Sequence, residues 1–347
     1  MKSTIIIFLL LMGTLFCSCE KTLPFETQEQ IGNELVLNSA VVADTTLTVT
    51  VSRAFPLSKV PLWEHYTFWQ METSEDTLDY KWAVIDDAKV EATVNGERHY
   101  GFMYDEENLY YKSDYIPKEG DRVEINVHSD LYGDSRASVT VPMKQSIEII
   151  DHKVLLDNSF NGVLDESTDT YDSCTTDTVM HITCSITDPS GPNYYRLMVR
   201  SIGNQRLNSK EALAHADSTG IDISRSDGLF RSDIFFSDDL VFVDHGLPEA
   251  YGGWPAYFSN VFDDHLFDGQ SLTFSVRIRE RMYVNNPRVY VELQSLSRDF
   301  YYYLKSIQQY RIFQHSDYSE PIQIYSNVEN GWGIIGGLSG SRQIVPF

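Results

Sequence analysis

The sequence predicts a mainly β protein: an N-terminal immunoglobulin-like β-sandwich, then a second β-rich domain with at least one C-terminal helix. Three observations predict this. Apolar residues recur with a period of two in segment after segment, as in Leu47, Val49 and Val51, the pattern of a strand with one buried and one wet face. Turn signals separate these segments at short intervals. Tyrosine (21) and phenylalanine (18) are plentiful, and aromatic side chains favour strands. The 347 residues, 42% of them hydrophobic, suffice for a folded chain of two domains of typical size, or one large one, behind a short leader. The expected divisions are 1–18 leader, 19–32 tether, 33–144 first sandwich and 145–347 second domain.

The leader has Lys2, then an apolar run from Ile5 to Met12 that continues to Phe16, then Cys17-Ser18-Cys19-Glu20. About a dozen apolar residues are too few for a membrane-spanning helix, which needs roughly 20, but they fit a signal peptide. Small Ser18 precedes Cys19, whereas bulky Phe16 precedes Cys17. The segment reads as a lipoprotein signal peptide with Cys19 as the lipidated residue. The alternative is a plain secreted protein whose two cysteines are only leader residues. Each buried acyl methylene contributes about 0.8 kcal/mol, so several chains on Cys19 would make the lipid bilayer a lasting partner. Polar residues from Glu20 to Ile31 form the tether.

In the first domain, Leu47, Val49 and Val51 mark one strand and Ala88, Val90, Ala92 and Val94 another. Asn95-Gly96 follows at once, a strong hairpin signal, and Tyr100, Phe102 and Tyr104 return. Val123, Ile125 and Val127 pair with Ala137, Val139 and Val141 across a turn containing Gly133. Several short antiparallel strands in one domain suggest the sandwich. The long segment Phe55 to Trp82 interrupts the pattern. Its aromatics Trp63, Tyr66 and Trp69 are candidates for a ligand or partner surface, or else they cover one end of the sandwich.

In the second domain, Asp157 to Thr178 reads as an exposed loop. Met180, Ile182, Cys184 and Ile186 alternate, the turn Asp188-Pro189-Ser190-Gly191-Pro192 follows, and Tyr195, Leu197 and Val199 continue. Leu272 to Ile278 and Val289 to Leu293 are further strands. Leu296, Phe300, Leu304 and Ile307 recur at helical spacing near 297–313, with Ser297 as cap and Asp299 in the first turn. Near the C-terminus, Gly331 and Gly336-Gly337 read as turn-permitting residues around a short buried strand at Ile334 and Ile335, a packing feature, with a ligand loop as the alternative.

Formal net charge is −23, from 27 basic and 50 acidic residues. Phosphate backbones are bound by Lys and Arg clusters, so no nucleic-acid partner is expected, nor is contact along anionic headgroups. Cys174 and Cys184 remain after the leader, and an exported chain with an even count favours a disulfide clipping a hairpin between them; the alternative is two separate thiols. Asp263, Asp264 and Asp268 before Gly269 are the calcium candidates, against the reading that they only shape a turn. Asp233, Asp238, Asp239 and Asp244 have the same two readings. No other metal or cofactor is expected. Trp254, in Gly252-Gly253-Trp254-Pro255, is a further candidate for ligand contact, and Trp332 for contact or core packing.

No HExxH, P-loop or strand-to-helix GxGxxG is present, and Gly337-Leu338-Ser339-Gly340 lacks nucleophile-elbow spacing. The chain therefore reads as non-catalytic. His245 and His265, each beside aspartates, are the residues on which an unrecognised hydrolase would rest.

A set of motifs occurs in fixed order: Asp87-Ala88-Lys89-Val90 before Asn95-Gly96, Pro117-Lys118-Glu119-Gly120-Asp121 before a strand, and Asp188-Pro189 before Asn193-Tyr194-Tyr195-Arg196. Leu296-Ser297-Arg298-Asp299-Phe300-Tyr301-Tyr302-Tyr303-Leu304 follows, then Tyr325 to Gly337. In these the chain resembles the Bacteroidota lipoproteins grouped as domain of unknown function (DUF) 4249. The resemblance implies an outer-membrane lipoprotein acting as a binding or accessory component of a TonB-dependent nutrient-uptake system. A structural or adhesive envelope role is the alternative. Only Glu20 supplies acid between Cys19 and Lys21, so the cell-surface and periplasmic faces both stay open.

Overall fold

The computed structural model describes residues 34–54, 83–157, 164–165, 170–171, 177–201, 235–245, 258–279, 289–313 and 322–345. The leader, the tether, Cys19, Trp63, Tyr66, Trp69, Cys174, Asp233 and Trp254 lie outside them.

The first sandwich contains β1 (Leu35–Val42), β2 (Thr48–Arg53), β3 (Lys89–Val94), β4 (Arg98–Asp105), β5 (Tyr110–Ser113), β6 (Arg122–Ser129) and β7 (Gly133–Thr140). Alternation is read out directly: Leu47, Val49 and Val51 are buried, as are Val90, Ala92 and Val94 and, facing them, Val123, Ile125 and Val127. Asn95 and Gly96 both have positive φ, 55° and 76°, the backbone of a hairpin turn whose twist matches its strands. Asp121, 9% exposed, fastens this end. It accepts from Asn95 Nδ2 at 2.8 Å, from the Lys118 amide at 2.8 Å and from the Tyr115 hydroxyl.

The second part contains β8 (Ile147–Asp157), the small pair β9 (Leu164–Asp165) and β10 (Thr170–Tyr171), β11 (Asp177–Thr187), β12 (Tyr194–Ser201), β13 (Phe235–Phe236), β14 (Val261–Asp263), β15 (Ser271–Arg279) and β16 (Val289–Leu296). Helix α1 (Arg298–Phe313) and β17 (Gly331–Val345) complete it. A four-stranded sheet, β13-β15-β11-β8, packs on β14-β12-β16-β17. Met180, Ile182, Phe274, Val276, Leu197, Val291 and Leu293 share the core between them. Helix α1 covers the other face with Phe300, Tyr301 and Leu304. Its cap is Ser297, whose Oγ accepts from the Phe300 amide at 3.4 Å.

The strand β17 joins the two parts. Its first half, Gly331 to Leu338, pairs in parallel with β1, and its second half, Leu338 to Val345, pairs antiparallel with β16. The result is one eleven-stranded sheet, β14-β12-β16-β17-β1-β2-β5-β4-β3-β6-β7. The sheet curls so that β7 returns to the start of β17. Arg136 and Glu329 exchange backbone bonds of 3.3 and 2.8 Å there, and the Ser135 hydroxyl donates to the Asn330 carbonyl at 2.8 Å. Ile335 enters the first core, Ile334 and Leu338 pack under α1, and Val345 enters the second core.

Two expectations are corrected. The C-terminal glycines do not bracket a short strand; they lie within or at the start of a 15-residue one. A Cβ on Gly336 would sit 2.3 Å from the Phe300 ring, and one on Gly331 would sit 2.5 Å from the Leu35 carbonyl oxygen. Glycine here permits close packing of strand, helix and neighbour. The hairpin expected between Cys174 and Cys184 is likewise not seen: from Asp177 onward this stretch is one strand, β11. Cys184 within it is a free, buried thiol, its pKa pushed up to about 12 by desolvation, and Cys174 lies outside the described residues.

Candidate functional site

The motifs of the second part converge where β12 begins and β14 and β16 end. Tyr194 pairs with both Asp263 and Leu296 there. The turn after Asp188 and the turn after Asp263 close over this end, and α1 starts beside them.

Two clusters result. The first is acidic: oxygens of Asp188, Asp264 and Asp268 lie within 4.8 Å of one another. Asp188 and Asp264 are buried and Asp268 is exposed. Each carboxylate holds a turn. Asp188 accepts from the Tyr195 hydroxyl and from the Gly269 amide at 2.9 Å, Asp264 from the Asn193 amide at 2.7 Å, and Asp268 from the Gly191 amide at 2.8 Å. Burial raises the Asp188 carboxyl above the usual carboxylate range, and the nearby Asp264 and Asp268 add to the effect. Of the calcium candidates, Asp264 and Asp268 come together, but their companion is Asp188. Asp263 points elsewhere, to the Tyr301 hydroxyl at 3.2 Å and to His265.

The second cluster is aromatic. Tyr194 packs on Tyr301 with ring centres 4.8 Å apart, Tyr302 lies 5.8 Å from Tyr325, and the Arg298 guanidinium sits 5.5 Å from the Tyr302 ring centre. The Tyr325 hydroxyl donates to Asp299 at 2.6 Å. Burial and this carboxylate push Tyr325 up to about 12. Burial and Asp263 likewise raise Tyr301. These phenols stay protonated through the physiological range and spend their single O–H on Asp299 and Asp263, so the cluster offers a stacking ring at Tyr302 (39% exposed) and one guanidinium. Lys305 closes its inner side, paired with Asp244 and donating to the Val261 carbonyl at 3.1 Å.

A polar groove of about 310 Å³ lies elsewhere, lined by Lys89, Glu91, His128, Asp134, Arg136 and Asn330 among others. Asp134 and Asp130 bond to His128 and raise its pKa. His245 and His265, both exposed, do not line this groove, and Asp263 holds His265. Trp332 is 44% exposed, its indole N–H donating to Glu34.

The aromatic cluster was not among the residues singled out for ligand contact. Its signal is the triple Tyr301-Tyr302-Tyr303 on one helix turn, where apolar spacing needs only part of the set. Asp188 was read only as a turn residue, because its partners are remote in sequence.

Among the described residues, no helix is long and apolar enough to cross a membrane. Comparison with curated proteins gives no match. Among solved structures, one described as a membrane anchored protein from Corynebacterium diphtheriae shares 10% identity, with a TM-score of 0.18. It aligns over 76% of this chain and 54% of its own, so the chain spans about half its length; a likeness this low carries no argument. The family model described as domain of unknown function (DUF4249) matches residues 20–344, and with nearly the whole chain after Cys19 covered, the protein belongs to that family.

Proposed function

We propose that this protein is a non-catalytic lipoprotein of the outer membrane, anchored through Cys19, that serves as a binding or accessory component of a TonB-dependent nutrient-uptake system. The observation that carries the reading is the apolar leader ending in Ser18-Cys19, placed immediately before the stretch matched by the family model. Multiple acyl chains bind a bilayer lastingly, and the net charge of −23 keeps the body off anionic headgroups and nucleic acid. The Tyr302–Arg298–Tyr325 face suits partner contact, because aromatic rings and arginine dominate recognition surfaces.

The anchor is tested by labelling cells with a clickable palmitate analogue. The wild-type protein is expected to take the label and to fractionate with outer membranes; Cys19→Ala is expected to lose both. A labelled Cys19→Ala protein would sink the assignment. The accessory role is tested by mild cross-linking in native membranes. A TonB-dependent transporter should co-purify, and Tyr302→Ala with Arg298→Ala should reduce its recovery. Normal nutrient uptake in a deletion strain with failing envelope integrity would favour the structural or adhesive role.

A further inference from the structure

Strand β8 ends the order β13-β15-β11-β8; among the described residues, nothing pairs with its outer edge. Long free edges are usually shortened, covered or heavily charged, because their open amides and carbonyls accept another strand. This strand has eleven residues. Every residue from Ile150 to Leu155 is exposed, and three of them are apolar: Ile150 at 58%, Val154 at 51% and Leu155 at 41%. Ile150 is the extra residue of a bulge opposite Thr183 and Cys184, and regular strand geometry runs from Asp151 onward.

The order of side chains on this edge is self-complementary. The central stretch reads Ile150-Asp151-His152-Lys153-Val154. Lay a second copy antiparallel with His152 opposite His152. Asp151 then faces Lys153 of the copy, and Lys153 faces its Asp151. Val154 of each copy comes opposite the bulged Ile150 of the other. Directly opposed residues of unlike charge, and opposed β-branched pairs, stabilise a sheet. Neighbouring registers lose this. A one-residue slip sets Asp151 against His152 or against Val154, and a two-residue slip opposes Asp151 to Asp151 or Lys153 to Lys153. Parallel in-register pairing stacks like charges. One register is therefore selected, and it has the two-fold symmetry of a closed dimer.

We propose that β8 pairs with β8 of a second copy of this chain in that register, joining two four-stranded sheets into one of eight strands. The contact is short, and small interfaces are weak. Tethering both copies to one surface supplies the effective concentration it needs. At physiological salt the Debye length of about 8 Å screens the like net charges of the two bodies.

The test uses the full-length chain in its own membrane. His152→Cys places a thiol at the two-fold axis, and oxidation with copper phenanthroline is expected to give a homodimer band. Glu148→Cys, outside the pairing centre, should give little. Adding Asp151→Lys to His152→Cys should lower the dimer yield about tenfold, since two charge pairs turn repulsive and each 1.4 kcal/mol is a factor of ten. Adding Lys153→Asp as well should restore it, which also shows that the charge variants fold. A His152→Cys protein present at wild-type level but uncross-linked would overturn the proposal. So would a dimer indifferent to Asp151→Lys, or cross-linking mainly to a different protein.

Discussion

Asp121 and Asp188 are buried carboxylates at turns, and their surroundings push them in opposite directions. Burial acts to raise Asp121, but bonds from Tyr115, the Lys118 amide and Asn95 outweigh it and leave its pKa lowered. A lowered folded pKa means stability that is fully present above the unfolded value near 3.9 and lost as pH falls through the folded one. Burial raises Asp188, so its contribution has the other sign: it is present below the unfolded value and lost as pH rises through the folded one. Asp121→Asn is expected to cost about 1–3 kcal/mol at neutral pH and to flatten the acid limb of the stability curve; urea titrations from pH 3 to 7 read both. Gly336 gives a second residue-scale prediction. Gly336→Ala drives a methyl into Phe300, and overpacking of this kind costs about 1–3 kcal/mol. Combining it with Phe300→Leu should cost less than the sum of the two single changes, measured as urea midpoints.

At the scale of elements, α1 and β17 share one hydroxyl. Ser297 Oγ accepts from the Phe300 amide, capping the helix, and from the Gly337 amide at 3.0 Å, holding the strand. Ser297→Ala is therefore expected to exceed the roughly 1 kcal/mol of an ordinary cap, whereas Ser297→Asp should retain most of the stability; thermal unfolding distinguishes them. The cap and the apolar spacing of α1 were legible because both are local. Most strands of the first sandwich were legible for the same reason: Val90, Ala92 and Val94 alternate with polar neighbours and end on Asn95-Gly96. β17 was not. Strands are depleted in glycine, and the reason for glycine at 331, 333, 336 and 337 lies in Leu35, Leu37, Phe300 and Thr140, which approach from distant segments. The same holds for β11, where two cysteines suggested a hairpin that the continuous ladder to β8 and β15 rules out. In the site, Asp264 and Asp268 were visible as turn acids. Asp188 and the tyrosine pairs were hidden, because contact between 188 and 269, or between 302 and 325, exists only after the sheet forms.

At the scale of the molecule, the shared strand ties the two sandwiches together. Neither core is complete without β17, so the parts are expected to unfold in one transition. Labelling of the peptide containing Cys184 reports the second core, and amide exchange of β3 and β6 reports the first. Both should lose protection at the same urea concentration; two separate midpoints would contradict this. Ending the chain at Asn330 should leave both cores protease-sensitive, although most of their residues remain. There is also an issue of timing. The two edges of β1 are filled over very different ranges: β2 follows it directly and pairs antiparallel, whereas its parallel partner β17 arrives from beyond the whole second part. Pairing over such separations is slow, so one edge of Leu35–Val42 stays open after the other has closed, and refolding at high protein concentration is exposed to mispairing at that edge.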